Sequence, residues 1–202
     1  RDLNAGIART SQEALSLAAG EFVVLLDHDD RLAPEALFEA VHILTIRPDT
    51  DWIYTDSDKI SPDGERWHYL FKPDWSPDLL LSCNYILHLS VIRRRTLLDA
   101  GGFDPAYEGA QDYDLYLRLA ELTQRVVHIP RVLYSFREST ASTAADLEAK
   151  PEIYERGRKA LAAALRRQGS KALPKVAAGA WKGNYHLTEK GGGEKTAFFL
   201  PV

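Results

Sequence analysis

Five apolar residues, Phe22-Val23-Val24-Leu25-Leu26, stop abruptly at Asp27-His28-Asp29-Asp30. No other stretch constrains the fold as much. The run is too short for a helix and rich in strand formers, so it reads as a strand buried on both faces, as in a parallel sheet. In open α/β sheets, ligands bind at the carboxyl ends of strands. Three carboxylates crowded there repel one another, and a divalent cation relieves that repulsion. Hard oxygen donors suit Mg²⁺ or Mn²⁺. The plainer reading is an acidic turn that caps the following helix.

The surrounding pattern supports an α/β layer fold with a mixed, mainly parallel sheet flanked by helices. A helix is expected from about Ala5 to Ala19, with Gly20 as its C-cap. Pro34 opens a second helix to about Ile46. Trp52-Ile53-Tyr54 reads as a strand, and Ser61-Pro62-Asp63-Gly64 as a turn. A strand is expected over Asn84–Ile92 and a short helix over Arg93–Asp99. Gln111–Leu122 has helical periodicity. Val126–Ile129 and Val132–Tyr134 read as two short strands parted by Pro130, and Pro151–Gln168 as a helix. By this reading residues 1–145 form the main domain, 146–175 a helix packed on it, and 176–202 a linker and tail. In that tail Phe198-Phe199-Leu200 could begin a further strand.

Composition narrows the function. The chain has 202 residues and a net charge of −4, which argues against a general nucleic-acid binder. A single cysteine, Cys83, excludes an intrachain disulfide and fits a reducing, cytoplasmic setting. No apolar run approaches the roughly 18–20 residues that span a bilayer. Arg156, Arg158, Lys159, Arg166, Arg167, Lys171 and Lys175 outnumber Glu152 and Glu155 in the last helix. A solvated face is the plain reading; peripheral contact with an anionic membrane, at its inner face, or with a neighbouring domain is the sharper one. Methionine is absent, as expected of a piece of a longer protein.

A second constellation is Gln111-Asp112-Tyr113-Asp114, at the start of a helix where the dipole favours carboxylates. Asp114 and Arg118 can pair on one face. Asp112, nearer the Gly101-Gly102 loop, could face a cleft and act as a general base. A capped helix with an internal ion pair explains the same residues.

Taken together and in order, these stretches resemble the family 2 glycosyltransferases, inverting enzymes of the GT-A fold. The matching pieces begin with Asn4-x-Gly6-x-Ala8-Arg9, Leu26-Asp27-His28-Asp29-Asp30 and Tyr54-Thr55-Asp56-Ser57-Asp58-Lys59. They continue with Phe71-Lys72-Pro73-Asp74-Trp75, Asn84-Tyr85-Ile86, His88 and Gly101-Gly102-Phe103-Asp104. Gln111-Asp112-Tyr113-Asp114-Leu115, Arg118, His128-Ile129-Pro130, Leu133-Tyr134 and Arg137 complete the run, which ends near Ser142. It is most similar to enzymes that build bacterial surface polysaccharides.

The resemblance implies a nucleotide-sugar donor, a glycan or lipid-linked acceptor, and Mn²⁺ or Mg²⁺. Asp29 and Asp27 would contact the metal, and Asp27 and Asp30 the ribose or metal surroundings. Arg9 would lie near the nucleotide. Asp112 would be the catalytic base. Lys72, Trp75 and His88 could line the acceptor cleft, although packing explains Trp75 and His88 as well. His128 and Cys83 read as structural. Ser135-Phe136-Arg137 stands where many relatives have His-Trp-Arg, and Gln111 where many have Glu. The Gln-x-x-Arg-Trp of processive synthases is missing, so addition of one or a few sugars is expected. The family's first strand–helix–strand is also missing, which leaves a non-catalytic glycan-binding or assembly module as the rival reading.

Overall fold

A computed structural model of the chain describes residues 5–138, 151–171, 173–176 and 184–188. Asn4, the segment around Ser142, and Phe198-Phe199-Leu200 lie outside the described residues, so the expectations that rest on them are not met with structure here.

The elements alternate along the chain: α1 (Ile7–Leu17), β1 (Phe22–Leu25), β2 (Arg31–Leu32), α2 (Ala36–Ile46), β3 (Trp52–Ile60) and β4 (Arg66–Leu70). After these come α3 (Pro77–Leu80), β5 (Ser90–Arg93), α4 (Arg94–Asp99), α5 (Gln111–Leu122), β6 (Val126–Arg137), α6 (Pro151–Arg167), β7 (Leu173–Val176) and β8 (Tyr185–Thr188). One sheet has the order β1-β5-β3-β6-β2, with β4 added on β3. β7 and β8 form a separate antiparallel pair.

The sheet is mixed, as expected, but its parallel share is smaller than the sequence suggested. Only β3 and β6 pair in parallel; β1–β5, β2–β6, β3–β4 and β3–β5 are antiparallel. Two antiparallel steps, β1 to β5 and β5 to β3, still leave β1 running in the same direction as β3 and β6. The C-terminal ends of these three strands therefore share one edge of the sheet, and the acidic turn sits on that edge.

β3 is the centre, buried along nearly its whole length. Strand alternation sends Trp52 and Tyr54 to one face and Ile53 to the other. The first face packs against α5 and α6 through Leu115, Tyr116, Leu119, Leu161 and Leu165. The second packs against Ala36 and Ala40 of α2, with Leu89, Val91 and Leu133. β1 was expected to be buried on both faces. Among the described residues it pairs with β5 alone, and all four of its residues are half-buried.

Three local expectations change for identifiable reasons. The strand expected over Asn84–Ile92 is confined to Ser90–Arg93, because the carbonyls of Ile86, Leu87 and His88 are taken by side chains rather than a ladder. The two short strands around Pro130 are one strand. Thr55 faces Ile129 and Asp56 faces Val132, so Pro130 and Arg131 bulge out and the missing proline N–H costs no ladder bond. Part of the expected tail is ordered: Tyr185 of β8 is buried with its ring stacked on Tyr113, 5.6 Å away. Gly20 lies beyond the actual cap of α1, Ala18.

The N-terminus of α1 is closed from a distance. Glu108 accepts from the amides of Ile7 and Ala8, at 2.5 and 2.9 Å. A carboxylate there satisfies orphan N–H groups and complements the helix dipole. No helix among the described residues is long and apolar enough to cross a membrane.

Candidate active site

The acidic turn is fastened to β6 through one of its three carboxylates. Asp30 accepts from the Tyr134 hydroxyl at 2.5 Å and from the Arg137 amide at 2.8 Å. Burial pushes the Asp30 carboxyl up, and those two hydrogen bonds oppose the push. Arg137 Nε donates to the Asp29 carbonyl at 2.8 Å. The Asp27 amide donates to the Tyr134 oxygen at 3.3 Å. With Asp30 occupied, the carboxylates of Asp27 and Asp29 are left 54% and 37% exposed. His28 projects into solvent.

His88 closes the other side of Asp27, with Nε2 3.5 Å from Oδ2. A hydrogen bond from His88 holds the Asp27 carboxyl below its usual range, against the effect of burial. The His88 ring lies 5.2 Å from Tyr134 and 6.1 Å from Phe136.

His88 belongs to an irregular loop, residues 84–89, that is stitched down from beneath. Lys72 is 6% exposed. Its ammonium donates to the carbonyls of Ile86 and His88 at 2.5 and 2.6 Å. Its own amide donates to Asp56 at 2.9 Å. Burial pulls Lys72 down to about 7, although Asp56 pulls the other way. Tyr116 donates to the Leu87 carbonyl at 2.7 Å.

The same loop reaches Asp112. Asn84 Nδ2 donates to Asp112 Oδ2 at 2.8 Å. Asp112 is half-buried in the first turn of α5, where the helix dipole favours its ionised form. Tyr116 lies one turn further along the same face. Burial pushes its phenol well up, and the charges of Asp112 and Asp27 push the same way. Both carboxylates therefore lie within electrostatic reach of one hydroxyl.

The remaining expected residues sit as follows. Arg9 is exposed on α1 with no ion pair among the described residues. Lys72 lies beneath the loop rather than at a surface. Trp75 donates to Gln124 at 2.9 Å and tilts against Trp52 at 5.4 Å. That anchors it beyond the C-terminus of α5, more than about 15 Å along the helix from Asp112. His128 bridges Asp56 at 2.8 Å and Asp74 at 3.3 Å and stacks on Tyr54, a structural place. Burial pushes the Cys83 thiol up to about 11, which leaves it a packing residue. Asp114 and Arg118 pair at 2.5 Å as the spacing predicts. Tyr134 and Tyr116 were given no role from sequence; both act across long separations that spacing does not encode.

Among the described residues, no three His, Cys, Asp or Glu side chains are grouped to hold a metal ion. Asp27 and Asp29 offer two accessible, hard oxygen donors. Mg²⁺ and Mn²⁺ suit such a pair when substrate phosphates and water complete the coordination.

No family model matches the chain. It is 44% identical over 178 residues to the uncharacterized protein y4gI of Sinorhizobium fredii, covering 87% of this chain and 20% of that protein. It is 40% identical over 165 residues to the O-antigen biosynthesis protein RfbC of Myxococcus xanthus, covering 82% and 13%. Chondroitin synthase of Pasteurella multocida is 28% identical over 138 residues, 65% of this chain and 14% of that one. The chain thus spans about a fifth or less of the length of these relatives. In structure it is similar to residues 1–349 of S. aureus TarS in complex with UDP-GlcNAc, with a TM-score of 0.60, 18% identity, and coverage of 79% and 47%. At that identity the likeness is one of fold.

Proposed function

The chain belongs to the glycosyltransferases that carry the GT-A fold, and from that premise we propose that it moves a sugar from a nucleoside-diphosphate sugar to a hydroxyl of a glycan or lipid-linked acceptor. The reaction inverts the anomeric centre and serves bacterial surface-polysaccharide synthesis. What supports this reading most is that one stitched loop holds both acids: Asn84 contacts Asp112, and His88 contacts Asp27.

Asp112 is the base. It takes the proton of the acceptor hydroxyl as that oxygen bonds to the anomeric carbon. The bond from that carbon to the diphosphate breaks, and the nucleoside diphosphate leaves with the electron pair. One displacement needs one base, unlike glycoside hydrolysis with its two flanking carboxyls. Asp27 and Asp29 would hold Mn²⁺ or Mg²⁺. Such an ion neutralises charge on the departing diphosphate. Asp30, tied to Tyr134 and Arg137, fixes the turn. Arg9, free of an ion partner, contacts the nucleotide. Of the residues expected at the acceptor, His88 borders the acids, while Lys72 and Trp75 support the loop and the core. The protein acts on the cytoplasmic side, peripheral to the membrane.

The test is incubation with a panel of nucleotide sugars and Mn²⁺, with proton NMR of the product. Transfer with the opposite anomeric configuration is expected. Retained configuration contradicts inversion. Glycan binding without transfer from any donor is the outcome for a non-catalytic module.

A further inference from the structure

β4 lies along the outer half of β3. β5 pairs with Trp52–Tyr54, and β4 takes over at Ser57, Lys59 and Ile60. This half is the C-terminal end of β3, the edge of the sheet that carries the acidic turn. Ser57 pairs with Leu70 on one side and with Tyr134 on the other. β4 is therefore two strand spacings, about 10 Å, from the strand that anchors Asp30. Its end runs straight into the site, because Phe71 precedes Lys72, the residue beneath the loop.

Two large rings stand out from this strand. Tyr69 is 52% and Phe71 72% exposed. Their centroids are 6.2 Å apart and their planes 8° from parallel. Residues two apart on a strand share a face. A bulge at His68, where φ is 49°, separates them from Trp67, which sits instead under Lys59. Three residues on, the Asp74 carboxylate is 97% exposed and touches only His128.

We propose that Tyr69 and Phe71 form a stacking platform for a saccharide of the acceptor, with Asp74 accepting from its hydroxyls. A sugar ring presents an apolar C–H face and a polar rim. Two parallel aromatic faces beside an open carboxylate match both. A protein partner needs a broad patch, on the order of 1,000 Å² in total. Two rings in single file on an edge strand, bounded by Arg66 and Asp74, are too narrow for that and match the width of a sugar chain. The proposal rests on the transferase reading for its substrate class, and it adds a subsite to it.

The test is binding of wild type, Tyr69→Ala, Phe71→Ala and Phe71→Tyr to a printed array of linear oligosaccharides, then titration of the best binder. Mn²⁺-dependent nucleotide binding is measured in parallel by calorimetry. Each alanine variant is expected to bind at least about tenfold more weakly, about 1.4 kcal/mol, while Phe71→Tyr binds as wild type does. Equal binding by wild type and both alanine variants overturns the platform, as does binding of no oligosaccharide at all. Self-association of wild type that Phe71→Ala abolishes, with saccharide binding unchanged, also overturns it. Ring-dependent saccharide binding without nucleotide binding supports the platform and contradicts the transferase reading instead.

Discussion

The side-chain amide of Asn84 donates to the carboxylate of Asp112 at 2.8 Å, across 28 residues of sequence. A carboxylate held by a neutral donor keeps its orientation and stays available as a base. Asn84→Ala is expected to lower turnover about a hundredfold, the usual cost of misplacing a reacting group by an ångström or so. The KM for donor should stay near the wild-type value. Steady-state kinetics check this, and an unchanged turnover contradicts it.

Tyr134 fixes the acidic turn through Asp30 while leaving Asp27 and Asp29 free. Tyr134→Phe removes the hydroxyl without disturbing the ring's packing. Affinity for Mn²⁺ with nucleoside diphosphate is expected to fall about 10–100-fold, as when an outer partner of a metal ligand is lost. Calorimetric titration of both proteins measures it. Equal affinities would show that Asp30 needs no such support.

Lys72 gives a pH signature. Its folded value is about 7 and its ordinary value 10.5. Between these, the unfolded chain carries a proton that the folded chain has lost. Stability from this group therefore rises with pH across that window, and the cost of burying the ammonium is fully present below it. Wild type should gain stability relative to Lys72→Met as pH rises from about 7. Urea unfolding at several pH values measures the difference, and parallel curves would contradict it.

Gly157 lies where a Cβ would collide with the Tyr185 hydroxyl. Gly157→Ala should push Tyr185 off Tyr113 and weaken docking of β8 on α5 and α6. A loss of about 1–3 kcal/mol is expected, as for other overpacked cores. Denaturant unfolding reads it directly.

The helices were legible because their signals are local. Leu115, Leu117 and Leu119, with Asp114 four residues before Arg118, place α5 at Gln111–Leu122, where it lies. The acidic turn announced itself by charge. The division of labour inside it did not, because Tyr134 and Arg137 reach Asp30 from 104 and 107 residues away. The loop at residues 84–89 misled for a similar reason. Ile86, Leu87 and Leu89 look like a strand, yet Lys72 and Tyr116 claim the carbonyls a ladder would use. Lys72 itself looked like a ligand-facing cation, and only burial reveals it as the support beneath the site.

The central claim is that Asp112 takes the acceptor proton in sugar transfer. It is tested most directly by nucleoside diphosphate release from a nucleotide sugar, with Mn²⁺ and acceptor, in wild type and Asp112→Asn. The variant is expected to lose about 10²–10⁴ in turnover, the range for a general base, while binding the nucleotide as tightly as wild type. Equal turnover in the two proteins would contradict it.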